Sequence, residues 1–71
     1  MDDFERTLSE TAAVAPEFIG LTEVAARERA RDLGVRFRSW TDADPDLTAD
    51  YDARRVTVKL DGGVVVEADA G

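Results

Sequence analysis

The chain contains no cysteine and no histidine among its 71 residues. Without cysteine it can form neither a disulfide nor a thiolate metal site. Without histidine it lacks the commonest general base and metal ligand, and any Ser-His or Cys-His nucleophile pair. A domain of this size buries only about 60% of its unfolded surface, so a pocket for a drug-sized ligand would use much of the interior. We therefore expect one domain that is not an enzyme and that holds no cofactor and no metal.

Basic residues are also scarce, because 9 Lys and Arg stand against 16 Asp and Glu, for a net charge of −7. Such a surface repels phosphate groups, which argues against nucleic acid and anionic membranes as partners. No apolar run approaches the length of a membrane span. The first three residues, Met-Asp-Asp, lack the basic and apolar regions of a signal peptide. The sequence predicts a cytoplasmic monomer, or a secreted one if this is a mature or trimmed form.

The N-terminal segment, residues 1–15, mixes acids, Ser, Thr and Ala and has no firm helix cap. We interpret it as a flexible tail with at most a short frayed helix. A single domain is then expected over residues 16–71. Pro16 fixes its own φ angle, and the chain is expected to enter the core there, with Phe18, Ile19 or both covering one end.

One helix is predicted between Thr22 and Gly34. Thr22 is a suitable N-cap, and Gly34 is the residue type expected just after the last turn. Between them, apolar residues recur at helical spacing and form a narrow stripe: Ala26, Ala30 and Leu33. The small alanines indicate close approach of this helix to a sheet.

Three runs of alternating or apolar residues predict strands at 35–40, 55–60 and 64–68. Asp-Gly-Gly at 61–63 is a strong hairpin signal between the last two. The residues predicted to face the helix are Val35, Phe37, Val56, Val58 and Leu60. Those predicted on the opposite face are Arg36, Arg38, Thr57 and Lys59.

About a dozen residues separate the first two strands, which suits the crossover that a parallel pair requires. The predicted fold class is therefore α+β, with one helix packed on a small twisted mixed β-sheet and a long exposed binding loop. A structureless stretch of this length is uncommon in a small domain and is usually a working loop or a disordered one. The polar stretch 46–56 is consequently the first candidate for a functional segment.

Aspartates alternate through this loop in a way that is similar to a calcium-binding loop: Asp42, Asp44, Asp46, Asp50 and Asp52. Calcium loops of that kind need glycine at the sharp turn and a bidentate glutamate at the end. Leu47 and Ala53 occupy those positions, so a solvated acidic loop is the favoured interpretation.

After the capped helix and the first strand, a specific set of residues follows in order: Thr48, Asp50, Tyr51, Arg55 and Val56. With this pattern the chain resembles, over about residues 16–71, the potato inhibitor I family, which includes eglin, the barley chymotrypsin inhibitors and small bacterial inhibitor-like proteins. The resemblance implies a serine protease inhibitor that binds its target through a substrate-mimicking loop. That protease-binding loop would comprise Leu47, Thr48, Ala49, Asp50 and Tyr51, with the reactive bond at Ala49–Asp50.

The same resemblance implies roles for individual positions. Thr48 would be P2, Ala49 P1, Asp50 P1′ and Tyr51 P2′. Loop support is assigned to Arg55, Arg54 and Gly71, and Thr57 stands where the family has a second supporting arginine. A small P1 residue favours an elastase-like or subtilisin-like protease over trypsin, which prefers a cation. The alternative is a non-inhibitory protein-interaction module on the same fold, since fold does not fix function.

Overall fold

Two α-helices and three β-strands make up most of the residues that the computed structural model describes, 2–43 and 51–71. In chain order these elements are α1 (Asp3–Val14), a 3-10 turn (Ala15–Phe18), α2 (Glu23–Leu33), β1 (Arg36–Trp40), β2 (Arg55–Asp61) and β3 (Val64–Ala70). None of the helices in these ranges is long and apolar enough to cross a bilayer.

Helix α1 occupies most of the segment that the sequence analysis interpreted as a flexible tail. The expectation that no residue caps this segment is wrong, because Asp2 is the N-cap and its carboxylate accepts a hydrogen bond of 2.8 Å from the Glu5 amide. Thr11 and Ala15 are both buried, with 3% of each exposed. The expectation of a single helix is therefore corrected to two, because tertiary contacts add to a weak local signal. The division into a tail and an inhibitor-like domain stays a prediction.

Helix α2 has the ends that the sequence predicted. The Thr22 hydroxyl accepts a hydrogen bond of 3.2 Å from the Ala25 amide. Gly34 closes the helix in the left-handed conformation, at φ 70°, where a side chain would be strained. Ala26 and Ala30 are buried as predicted, whereas Leu33 is 37% exposed, at the edge of the stripe.

The sheet has the predicted mixed topology, with strand order β1-β2-β3. β1 and β2 are parallel, and β2 and β3 are antiparallel. The core lies between the sheet and the helices, and its largest fully buried side chains are Phe18, Val56, Val58 and Val65. Phe37 stacks on Phe18 with 6.4 Å between ring centroids. Of the two residues proposed to cover one end, Phe18 does so and Ile19 is 54% exposed.

The parallel pairing determines where the connection between β1 and β2 must run. In this register Arg36 lies beside Arg55, and Trp40 lies beside Lys59. The connection leaves β1 after Trp40, beside Lys59, and enters β2 at Arg55. Lys59 and Arg55 are four residues apart, which is about 13 Å at the rise of a strand. Fourteen residues, 41–54, lie between the two strands, and when extended they would span over three times that distance. The surplus length lets the connection extend away from the sheet, as a binding loop requires.

Candidate functional site

The candidate site is the connection between β1 and β2, of which the structure describes the two ends. The residues proposed for the reactive segment, Leu47, Thr48, Ala49 and Asp50, lie outside the described residues, and so do Asp44 and Asp46. Thr41 to Ala43 form the first end, and Tyr51 to Arg54 form the second. Contacts at both ends tie the loop to the sheet.

An exposed ion pair ties the first end to the sheet. Lys59 Nζ lies 3.0 Å from Asp42 Oδ1, and its charge also lies 5.2 Å from the centroid of the Trp40 ring. The hydrogen bond to the Asp42 carboxylate, reinforced by its charge, raises the pKa of Lys59. Because 83% of the Asp42 side chain is exposed, water screens this pair and it holds the chain only weakly. The Thr41 hydroxyl adds a local turn by accepting a 3.2 Å hydrogen bond from the Ala43 amide.

The second end is held more firmly, through Asp52. Its Oδ1 accepts a hydrogen bond of 2.9 Å from the Arg54 amide, and its Oδ2 accepts one from the Arg36 guanidinium on β1. Its main-chain oxygen accepts a third, of 3.1 Å, from the Arg55 amide. The Arg54 amide, followed by Arg36, lowers the pKa of the Asp52 carboxyl. Asp52 thus closes a turn that leads directly into β2.

This role of Asp52 was not predicted from the sequence, where the residue was considered only as one of five aspartates of the loop. A usable signal existed, because an aspartate often accepts a hydrogen bond from the backbone two residues further on. The ion pair with Arg36 had no local signal, since the two residues are 16 positions apart.

Arg55 and Gly71, two of the predicted support residues, meet directly. Arg55 is only 9% exposed, and its Nε donates a hydrogen bond of 2.9 Å to the main-chain oxygen of Gly71. The Thr57 hydroxyl donates to the same oxygen at 3.2 Å. In return the Gly71 amide donates to the Arg55 oxygen at 2.8 Å. Thr57, at the place of the family's second arginine, therefore shares one acceptor with Arg55.

Tyr51 joins this group from the loop side. A Cβ at Gly71 would lie 3.3 Å from Cδ1 of the Tyr51 ring, so the absence of a side chain lets the ring approach closely. Tyr51 remains 79% exposed and is available to a partner. The structure thus brings Tyr51, Gly71 and Arg55 together at the base of the loop. Support of the reactive segment itself by Arg55 stays a prediction, because residues 47–50 lie outside the described ranges.

Arg54 lies on another part of the surface. Its side chain borders a cavity of about 170 Å³ between α1 and the α2–β1 corner. Its main-chain oxygen accepts a 2.7 Å hydrogen bond from the Arg36 amide, which continues the pairing with β1. The backbone of Arg54 therefore helps to fix the end of the loop, while support by its side chain stays a prediction.

The acidic residues at the loop ends are engaged with cations. Asp42 pairs with Lys59, and Asp52 pairs with Arg36. Within the described ranges, no group of three or more potential ligand side chains lies close enough to hold a metal ion. The other three aspartates of the calcium-like pattern lie outside those ranges.

Comparison with known proteins supports the fold of this chain and does not establish its function. No protein-family model matches the chain, and no curated protein sequence does. Among solved structures, that of the elastase inhibitor AFUEI (crystal form II) is similar, with a TM-score of 0.53 and 19% sequence identity. The match covers 97% of this chain and 100% of that one. At this identity the likeness shows the fold alone. It confirms the predicted α+β class and shows that the chain has the fold of that inhibitor.

Proposed function

We propose that this chain inhibits serine proteases of the elastase or subtilisin type by presenting residues 47–51 as a substrate mimic. The reactive bond is Ala49–Asp50, and the chain binds one protease as a monomer. The observation that carries the proposal is the support beneath the second end of the loop. There a buried arginine, Arg55, and the turn-closing Asp52 fix the chain immediately after the proposed reactive segment.

The contacts at the two ends of the loop lower the entropic cost of binding. An extended segment can add to the substrate-binding strand of a protease through main-chain hydrogen bonds. A flexible peptide loses conformational entropy when it does so, and that loss subtracts from affinity. Here the chain is tied on either side of the proposed reactive segment, at Asp42 and from Asp52 to Arg55, so ordering of these two ends accompanies folding of the chain itself.

The same ties explain how an inhibitor would resist hydrolysis. After cleavage of the Ala49–Asp50 bond, both new ends would remain attached to one folded sheet. The new amino end would lie two residues before Asp52, whose three hydrogen bonds fix the chain there. Effective concentrations of well-positioned groups within one molecule are high, so religation competes with departure of the cleaved loop.

Specificity would follow from Ala49 and Tyr51. Alanine at P1 fits a small or shallow S1 pocket and leaves the acidic pocket of trypsin without its cation. Each missing methylene in a larger apolar pocket loses roughly 1–3 kcal/mol, so chymotrypsin-like enzymes are weaker targets. The exposed Tyr51 ring supplies an apolar surface on the primed side. The likeness in fold to an elastase inhibitor is consistent with this preference.

A two-part assay tests the proposal. Inhibition constants are measured with elastase, subtilisin, chymotrypsin and trypsin, and the bond that each protease cuts is located by mass spectrometry. We expect inhibition of elastase or subtilisin at micromolar protein or below, with slow cleavage confined to Ala49–Asp50. Rapid cleavage there without inhibition of any of the four would contradict inhibition and favour the non-inhibitory interaction module.

A further inference from the structure

Three successive main-chain oxygens at the second end of the loop each have a different partner. The oxygen of Asp52 accepts from the Arg55 amide at 3.1 Å, which closes the turn. The oxygen of Arg54 accepts from the Arg36 amide at 2.7 Å, which joins the turn to β1. Between them, the oxygen of Ala53 accepts from the hydroxyl of Thr11 at 2.6 Å. Of these three carbonyls, Ala53 is therefore the one held by a side chain from outside the sheet.

Thr11 is well placed to hold that oxygen. It lies on α1, 42 residues away in sequence, and only 3% of it is exposed. Its hydroxyl also lies 2.9 Å from the Thr7 oxygen, the usual acceptor for a threonine within a helix. A hydroxyl carries one proton, so the two carbonyl oxygens share a single donor, and the Ala53 oxygen is the nearer of the two. The buried hydroxyl of Thr11 thus lies between the backbone of its own helix and the loop end, and links the two.

A half-open groove lies beside this bond, between α1 and the loop end. It is the cavity of about 170 Å³, bordered by α1 residues and by Leu33, Val35 and Arg54. Where close packing is missing, dispersion contacts that would hold two elements together are lost. A single directed hydrogen bond then carries more of the positioning between α1 and the loop end than it would in a dense interface.

We propose that α1 is a brace for the reactive loop and that Thr11 is its positioning residue. By holding the Ala53 oxygen, Thr11 fixes the chain four residues after Ala49 and one residue after the Asp52 anchor. This inference rests on the proposed inhibitory function for its consequence, while the brace itself can be measured without a protease. The N-terminal helix is in this account a part of the inhibitory apparatus.

Amide hydrogen exchange measures the brace directly in the full chain. Thr11→Val keeps the side-chain shape and removes the donor, whereas Thr11→Ser keeps the donor. A neutral hydrogen bond contributes about 0.5–1.5 kcal/mol, so we expect Thr11→Val to raise exchange of the Arg54 and Arg55 amides by up to about tenfold. Thr11→Ser should restore the wild-type rates, and the core amide of Val58 should be unaffected. Equal rates in the Val and Ser variants, or the same increase at Val58, would overturn the brace.

The rate of loop cleavage and the inhibition constant measure the effect of the brace on inhibition. We expect Thr11→Val to raise the inhibition constant and the rate of cleavage at Ala49–Asp50 by a similar factor, with rescue by Thr11→Ser. Thr7→Val is the matched control, because Thr7 borders the same cavity one turn earlier and its loss leaves the Thr11–Ala53 bond in place. Faster exchange without any change in cleavage would overturn the role of the brace in inhibition. A wild-type protein that inhibits nothing would contradict the proposed function, and the exchange result would still decide whether the brace exists.

Discussion

Replacing Arg55 with alanine is the perturbation whose effect on the loop can be estimated most fully. The change removes the Nε donor to the Gly71 oxygen but keeps both main-chain bonds of residue 55, to Asp52 and to Gly71. A hydrogen bond from a charged group contributes about 1.5–3 kcal/mol. The Gly71 oxygen retains the Thr57 hydroxyl, which places the loss toward the lower end, about 2 kcal/mol. If the whole loss falls on the bound loop, inhibition weakens about 30-fold.

The assay compares inhibition constants and loop-cleavage rates for Arg55→Ala and Arg54→Ala. Both variants lose one arginine charge at adjacent positions, but the Arg54 side chain is exposed and borders the α1 cavity. We expect the Arg55 variant to inhibit far more weakly and to be cut faster, and the Arg54 variant to change much less. Equal effects would mean that charge near the loop matters and that the contact with Gly71 does not. No effect in either variant would remove both residues from the proposed support.

Two further predictions concern pH and the core. The folded-state pKa of Asp52 lies below its ordinary value of 3.8, so its stabilisation is present above that value and is lost as pH falls through the lowered pKa. In urea titrations at neutral pH, Asp52→Asn should therefore have a free energy of unfolding up to about 1 kcal/mol below that of wild type. This difference should vanish in acid, and a difference that is independent of pH would refute the role of the Asp52 charge. Phe18→Ala should lower the free energy of unfolding by about 3–5 kcal/mol, much of the roughly 4–11 kcal/mol expected for a chain of this size. The neighbouring, half-exposed Ile19→Ala should lose much less, and equal losses would contradict the location of the core.

The parts of the fold that could be predicted were those with local signals. Helix α2 has its start signal, Thr22, and its stop signal, Gly34, inside a single short segment. The strands followed from alternation, and β2 buries Val56 and Val58 as expected. The parallel pairing of β1 and β2 followed from the length of the connection alone, because a tight turn cannot join parallel neighbours.

The parts that could not be predicted depend on contacts between distant residues. Helix α1 has a local cap in Asp2, but its attachment to the loop joins Thr11 to a residue 42 positions away. The Asp52–Arg36 pair likewise spans 16 positions. At the site, Arg55 and Gly71 were assigned from family resemblance, and the structure brings them into contact. The role of Asp52 had a local signal only for its bond to the Arg54 amide, two residues further on, and none for its pair with Arg36.

The identity of the reactive bond is the central claim, and one substitution tests it most directly. Inhibition constants for trypsin and elastase are compared between Ala49→Arg and Ala12→Arg, which adds the same charge at an exposed position on α1. Close charge pairs in an interface have coupling energies of about 1.5–7 kcal/mol, so Ala49→Arg should improve trypsin inhibition roughly tenfold or more. It should also lose inhibition of elastase, while Ala12→Arg should behave as wild type. Identical behaviour of the two variants toward both proteases would contradict Ala49 as the residue that enters the S1 pocket.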